Sequence, residues 1–549
     1  MSTLAEAVGK TLADSGVRHA FGVVGGGNIL ATAALTAAGV HYTAARHEGG
    51  AMAMADAYFR ATGEVAICTT THGPGVTNTV TALADAAKNR SGVVLLCGDA
   101  PVSGPRPHDV DQSALMEAVG VRAVRLTDPE TAREATAAAV RTARDAHCPV
   151  ALFLPGDLIG HPVPGGESRT APVVASAPAP ADDQDLDPLL AVLSSARRPL
   201  LLAGLGAWHA GAGKVLRELG DRLGALFATT VMAGGLFRDS PWSLGVCGGF
   251  ASPPAAALMG EADVVVAFGA SLDTFTLHGG RILDPATTVV QVELAEGTRA
   301  QRADLVVRGD AHAVAVRLLD AVRARELPVS DWRDRRAPAV AEARAGWAAL
   351  AHDDASGSGR IDPRTLTRAL AELLPEERTL VLDGGHFIAW PSMYWPVPDP
   401  AGLVFTGAAF QSIGLGLAGA VGAAVGRPDR LTVAAAGDGG ALMGLPELDT
   451  LVRSGRPALV VVYDDAGYGF EEHMYLPQGA DPATTSFADT DFATVARGLG
   501  AAAVTVRSAD DLAAVREWRD TGCPGTLVLD CKVTDGVVAP FLADLLGRT

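Results

Sequence analysis

The chain has 549 residues, of which 48% are hydrophobic and 63 are glycine, and a formal charge of -18; that length predicts about three or four domains with large cores. An acidic chain without a basic block excludes nucleic acid as a partner, and no uncharged apolar run is long enough to span a membrane. Six scattered cysteines with no CxxC pair read as buried thiols in a reducing compartment, and the acidic amphipathic N-terminus is not a signal peptide, so a soluble cytoplasmic protein is expected.

In chain order, Leu4 to Ala13 has helical apolar spacing, Ala20 to Val24 is a strand entering Gly25-Gly26-Gly27, Ile29 to Ala37 is a helix and His41 to Ala45 a strand. A helix starts near Glu48, in Arg46-His47-Glu48-Gly49-Gly50; from position alone Glu48 is a helix-start carboxylate favoured by the dipole. Val65 to Thr69 is a strand running into Thr71-His72-Gly73-Pro74-Gly75-Val76-Thr77-Asn78. Val93 to Cys97 is another, followed by a loop with His108, Asp109, Asp111 and Gln112. This alternation predicts a parallel sheet covered on both faces.

Gly165 to Asp187, rich in Pro, Ala, Ser and Asp, reads as an extended linker. Beyond it, apolar strands at Pro199 to Ala203, Leu226 to Thr229, Ala262 to Phe268, Thr288 to Glu293 and Asp304 to Val307 form a second doubly wound unit. Gly204-Leu205-Gly206 is too short for a dinucleotide fingerprint and reads as a tight strand–helix turn. A charged helical segment with Trp332 and Trp347 leads to a flexible joint at Asp354 to Gly359. The chain therefore divides into domains at 1–165, 185–330 and 355–549: an α/β protein of three doubly wound domains with mostly parallel sheets.

In the last domain, the strand Thr379 to Leu382 ends in Asp383-Gly384-Gly385-His386, and Gly407 to Gly416 (GAAFQSIGLG) precedes a small-residue helix ending near Val425. The apolar run Leu431 to Ala436 then ends in Gly437-Asp438-Gly439-Gly440. A helix spans about Leu445 to Ser454, and the run Ala458 to Tyr463 ends in Asp464-Asp465-Ala466-Gly467. Two parallel strands thus finish in acidic loops at the carboxyl edge of one sheet, where open α/β sheets bind ligands. Mg²⁺ takes hard oxygen ligands and shares them with phosphates. Asp438, Asp465 and a carbonyl near Gly467 are a ligand set for it, and the glycines let backbone N–H groups reach a phosphate. The step of 27 positions between the two aspartates, with helix and strand between, makes metal–diphosphate binding the expected chemistry.

This segment resembles the thiamine-diphosphate motif of the 2-oxo-acid decarboxylase/carboligase family, which includes acetolactate synthase, pyruvate decarboxylase and benzoylformate decarboxylase. RHEGGAMAMADAYFRATG and THGPGVTN resemble two further family segments, and the likeness covers nearly the whole chain. It departs at Asp465, where Asn is usual. The resemblance implies a thiamine-diphosphate-binding fold in the first and third domains, and thiamine diphosphate and Mg²⁺ as cofactors. By it, Glu48 bonds the aminopyrimidine and promotes formation of the ylid. Gly384, Gly385, His386, Gly437, Gly439, Gly440 and Tyr468 lie on the cofactor side. Ile413 wedges between the two cofactor rings, and Gln411 offers its backbone carbonyl to the 4′-amino group. Gln112 faces the substrate as in acetolactate synthase-like members. His72 is either catalytic or a structural loop histidine. Glu471, six positions after Asp465, is either a proton donor to the carbanion or a solvated helix-start residue. In the family the middle domain holds FAD, ADP, CoA or nothing; FAD stays possible but no residue pattern requires it.

The expected partner is a 2-oxo acid. Glu48 and Asp438 meet across a subunit interface in the family, which implies a homodimer or homotetramer. The leading expectation is a decarboxylating carboligase, because Gln112 fits and the decarboxylases' His-His pair is missing. A simple decarboxylase releasing an aldehyde, to which Glu471 and a short C-terminal tail point, and a catalytically silent cofactor-binding homologue are the alternatives.

Overall fold

The computed structural model describes residues 2–163, 186–294 and 300–546. Its three main sheets are made of short, continuous apolar runs such as Val264–Phe268, every residue of which is buried. Such runs suit parallel strands covered on both faces. The first sheet contains β1 (His19–Gly22), β2 (His41–Ala44), β3 (Ala66–Thr70), β4 (Val93–Asp99), β5 (Arg122–Arg125) and β6 (Val150–Pro155), all parallel, in the order β2-β1-β3-β4-β6-β5. The middle sheet contains β7 (Pro199–Ala203), β8 (Leu226–Thr229), β9 (Ser243–Val246), β10 (Val264–Phe268), β11 (Thr288–Glu293) and β12 (Leu305–Arg308), in the order β9-β8-β7-β10-β11-β12. The last contains β13 (Arg378–Leu382), β14 (Leu403–Phe405), β15 (Leu431–Gly437), β16 (Ala458–Asp464), β17 (Ala502–Val506) and β18 (Thr526–Lys532), in the order β14-β13-β15-β16-β18-β17. The first and last sheets share one strand order; the middle sheet has the order common to dinucleotide-binding folds.

That order does not by itself make a nucleotide site. The loops after β7 and β10, which flank the crevice at the switch point, bond to each other: Gly204 N–H donates to the Phe268 carbonyl (2.9 Å) and Gly206 N–H to that of Gly269 (3.0 Å). A Cβ at Gly204 would lie 2.2 Å from the Gly269 carbonyl oxygen. These glycines serve a close backbone contact, in keeping with a tight turn. The proline-rich linker lies outside the described residues except for Leu186 and Asp187, which begin a helix, Leu186–Ser195, instead. No helix among the described residues is long and apolar enough to cross a membrane.

Six helices matter for the candidate site: α1 (Glu48–Thr62), α2 (Val80–Lys88), α3 (Gly416–Gly426), α4 (Asp438–Met443), α5 (Pro446–Arg453) and α6 (Gly469–Tyr475). The helix expected from about Leu445 to Ser454 is α5, and a further short helix, α4, precedes it. Helical structure starts at Asp438 itself, breaks at Gly444, and resumes with Pro446 in the first turn of α5, where a missing N–H costs nothing.

The first and last domains share one core, which joins Phe21, Met52, Met54 and Leu95 to Val381, Val421, Ala434 and Val460. At its centre α1 crosses α3. Nearly all of α3 is Gly, Ala or Val, so the two backbones come close: a Cβ at Gly422 would lie 2.1 Å from the Met54 carbonyl oxygen. Gly422→Ala should therefore destabilise the protein by about 2 kcal/mol. The overpacking cost of roughly 3 kcal/mol against rigid backbone outweighs the roughly 1 kcal/mol gained in helix propensity. Denaturant unfolding measures this; a stabilised variant would contradict the packing described.

Candidate active site

β15 and β16 are adjacent and parallel, with Gly437 level with Tyr463, so their two terminal loops meet at one edge. Asp438 opens α4 and is 6% exposed; Asp465 follows the last residue of β16. Their carboxyl groups bond to each other, and the leading charges on them, from Asp464 and Glu472, are also acidic. Burial, followed by the charge of Asp464, pushes the Asp438 carboxyl up to about 6. Burial and then Asp438 hold Asp465 well above the usual carboxylate range. The neighbouring Asp464 is different in kind. It is fully buried and bonds Lys532 Nζ, which also pairs with Asp530 at 2.9 Å. Of two consecutive aspartates, one is therefore neutralised inside the domain. The other is left facing Asp438.

The surrounding loops converge on Asp383, at the end of β13, which is 0% exposed. Its carboxylate accepts N–H bonds from Gly384 (2.8 Å) and Gly414 (2.9 Å). Burial raises this carboxyl to about 6, against the pull of those backbone donors. A Cβ at Gly440 would lie 2.6 Å from Asp383 Oδ2, and one at Gly384 would lie 2.9 Å from Ile413 Cγ2. Asp383 thereby gathers the segments bearing Gly384, Ile413 and Gly440. Gly385 (φ 133) follows in a left-handed conformation. Ile413 is only half-buried, unlike a core isoleucine, and Gln411 is exposed with a positive φ of 57. Tyr468 packs its ring on Gly439, where a Cβ would be 2.5 Å from the ring, and its N–H donates to the Thr485 carbonyl (2.9 Å). Gly467 bridges to Ser486. His386 is neither a cap nor a surface residue. It is buried, its Nε2 accepts the Ala539 N–H (2.9 Å), and burial lowers it to about 3, so the ring is neutral.

On the first sheet, Glu48 is the first residue of α1, after β2. Asn78, the last residue of THGPGVTN, donates from Nδ2 to Glu48 Oε2 at 2.9 Å. His72 lies on the same edge, after β3, with its ring 5.5 Å from that of His108. Its Nδ1 is buried without a hydrogen-bond partner, and burial, then Arg106, lowers its basicity.

One expectation needs correction, and of the two readings of Glu471 the solvated helix start is the one observed. Gln112 does not project toward open space. It is 3% exposed; its Oε1 accepts the Gly73 N–H (2.7 Å) and its Nε2 donates to the Gly98 carbonyl (3.0 Å) and Asp99 (3.1 Å). It holds the turn after His72 in place. Glu471 is exposed, whereas Glu472 turns to the acidic loop: its Oε1 accepts from Ser486 Oγ (2.6 Å), and a Cβ at Gly467 would lie 2.7 Å from it. Asp383, Asn78 and Glu472 were not singled out in the sequence. Only Asp383 carried a local signal, a strand-end Asp-Gly-Gly like Gly437-Asp438-Gly439.

Two facing carboxyl groups, Asp438 buried and Asp465 partly so, at the mouth of glycine-rich loops fit a hard divalent cation that shares its shell with phosphate oxygens. Three family models match the chain. The models of the thiamine pyrophosphate enzyme N-terminal TPP-binding domain, central domain and C-terminal TPP-binding domain match residues 2–117, 186–318 and 383–531. The chain is 28% identical to a sulfoacetaldehyde acetyltransferase of Rhodobacter capsulatus, over 100% of this chain and 97% of that protein. It is 27% identical to an acetolactate synthase of Bacillus subtilis, over 96% and 93%. It is 29% identical to 2-hydroxyacyl-CoA lyase 2 of Bos taurus, over 94% and 87%.

Raised carboxyl groups favour the folded state while protonated, so their contribution to stability falls as pH rises from about 4 through 6 and beyond. In cation-free protein, Asp465→Asn should therefore raise the melting temperature more at pH 8 than at pH 4. The same variant should retain Mg²⁺-dependent binding of thiamine diphosphate, and Asp438→Ala should lose it. Cation-dependent binding by Asp438→Ala would refute the assignment.

Proposed function

We propose, for a chain that belongs to the thiamine pyrophosphate enzyme family, that it decarboxylates a 2-oxo acid and passes the remaining fragment to a carbonyl acceptor, as an acetolactate synthase-like carboligase dependent on thiamine diphosphate and Mg²⁺. The observation that carries the reading is the presence in one chain of the Asp438–Asp465 pair on the last sheet and Glu48, fixed by Asn78, on the first. Full-length similarity to acetolactate synthases supports the choice of carboligation.

Thiamine diphosphate, when bound, supplies the carbanion chemistry that side chains cannot. Asp438, Asp465 and the Gly467 carbonyl would hold the cation, and the cation the diphosphate. The turns at Gly384, Gly385, Gly437, Gly439 and Gly440 would bring backbone close to the phosphate, with His386 and Tyr468 as walls. The half-exposed Ile413 would bend the cofactor, and the Gln411 carbonyl would accept from its amino group. Glu48 would hold a proton against the pyrimidine ring. His72, whose Nδ1 has no hydrogen-bond partner among the described residues, would hold or donate a proton at the substrate.

We assign the site to two chains. Val24, Ile29, Leu30, Phe410, Leu442 and Met443 are large apolar side chains 44–53% exposed in the single chain; the last three sit on segments that bear the site, and the first three flank Gly27, where a Cβ would lie 2.7 Å from His72 Nδ1. Exposed apolar residues so grouped suit an interface, and a second copy would cover them in a homodimer or homotetramer. All six cysteines are free, which accords with a reducing cytoplasm.

Incubation with pyruvate and other 2-oxo acids, with CO₂, aldehyde and acyloin measured separately, tests the reading. CO₂ should appear together with a carbon–carbon-linked product. Aldehyde in place of that product would indicate a simple decarboxylase; no CO₂ from any 2-oxo acid would refute both. Glu48→Gln should lower kcat about 10²–10⁴-fold, and full activity from a sedimenting 56.0 kDa monomer would exclude the two-chain site.

A further inference from the structure

Within one chain, the first and last domains exchange two buried carboxylates, and each lands on the backbone just before a residue assigned to the site. Glu447, in the first turn of α5, is 2% exposed. Its Oε1 accepts the His47 N–H (2.8 Å) and the Arg46 N–H (3.1 Å), and its Oε2 accepts the Thr450 hydroxyl (2.6 Å). The next residue after that backbone is Glu48. A Cβ at Gly50 would lie 2.4 Å from Glu447 Oε1, so glycine is what admits the carboxylate against the start of α1. The rest of α5 grips the same turn: Arg453 donates to the Ala44 carbonyl (2.8 Å), and Asp449 pairs with Arg46 (2.6 Å). Asp449 and Arg46 are more exposed, so their pair contributes less than the buried bonds.

The reverse contact comes from α2. Asp85 is 1% exposed; its Oδ2 accepts the Gly407 N–H and its Oδ1 the Phe410 N–H, both at 2.9 Å. The turn it holds leads into Gln411 and Ile413. A Cβ at Gly407 (φ 83) would meet the Ser412 carbonyl oxygen at 2.2 Å, so the turn is tight as well as tethered. Between the two tethers α1 packs on α3, and each helix begins at or just after a site residue: Glu48 opens α1, and Ile413 lies three residues before α3.

Bonds from N–H groups to an ionised acceptor are the strong ones, and a misplacement of about 1 Å in a reacting group costs about 10²-fold in rate. We propose that Glu447 and Asp85 are positioning residues: Glu447 fixes the direction in which Glu48 leaves its domain, and Asp85 fixes the Gln411–Ile413 turn. Because α4 and α5 follow one another, the stretch that begins with Asp438 also grips the turn before Glu48. The inference rests on the roles given above to Glu48 and Ile413.

Glu447→Gln and Asp85→Asn keep size and one acceptor oxygen, so both should fold. Amide hydrogen exchange of the cofactor-free protein, read by mass spectrometry, should quicken about tenfold or more over residues 44–50 in the first variant and over 407–414 in the second, with the other segment unchanged. In Glu447→Gln loaded with thiamine diphosphate and Mg²⁺, exchange of the cofactor's C2 proton, followed by NMR, should slow about tenfold, with cofactor Kd within about threefold of wild type. Unchanged amide exchange in both variants would overturn the proposal. So would equal loosening of both segments with a lowered Tm, which marks a merely structural role. Glu48→Gln separates the two ideas. If it leaves C2 exchange at the wild-type rate, the role of Glu48 fails, and the amide data alone judge the tethers.

Discussion

Two acidic side chains, Asp438 buried and Asp465 partly so, are held together at the edge of the last sheet, and among the described residues no base is paired with either. Like charges about 4 Å apart repel by roughly 4 kcal/mol at the effective dielectric of a protein surface. A fold that only needed to pack would not keep them. The contrast with Asp464 makes the point within one dipeptide. Asp464 turns inward to Lys532, and the chain supplies its counter-charge. Asp465 turns to Asp438, donates a hydrogen bond to it and meets more negative charge. The arrangement is stable only with a proton or a cation between the two groups.

The rest of the last domain is built to keep that pair where it is. β15 and β16 fix the height of the two loops, and Asp383 ties the neighbouring glycine segments to them. The α1–α3 crossing carries the geometry across to the first domain, where Glu48 stands at the head of α1 and Asn78 sets its carboxylate. α4 and α5 then return from the acidic pair to the turn before Glu48. Within one chain the two halves lie on different sheets that rigid elements of a single core connect; in the two-chain site proposed above, each half meets the other half of the partner.

How far this was legible in the sequence follows from the range of each signal. The strands read well because parallel strands are short continuous apolar runs, and Asp438 and Asp465 read well because each sits at the end of such a run. Glu48, Ile413 and Gln411 carried no local signal; their odds rested on resemblance, and the half-exposure of Ile413 is the feature that sets it apart from core. What could not be read were partnerships. Glu447 meets residues 400 and 401 positions away, and Asp85 meets residues 322 and 325 positions away. Gln112 went wrong for the same reason: its amide is occupied by Gly73 and Gly98, which its own loop gives no sign of. Glu471 and Glu472 are adjacent on one helix, and a difference of 100° in direction decides which faces the loop.

On the function proposed above, a divalent cation resolves the repulsion of Asp438 and Asp465 and in doing so creates the anchor for a diphosphate. Calorimetric titration of the wild-type chain with thiamine diphosphate, once with Mg²⁺ and once with a chelator, tests this most directly. Saturable binding at one cofactor per chain is expected with the cation, and a loss of about 10²-fold or more in affinity without it, since only the cation can turn two acids into a phosphate site. Equal affinity in the chelator would contradict it.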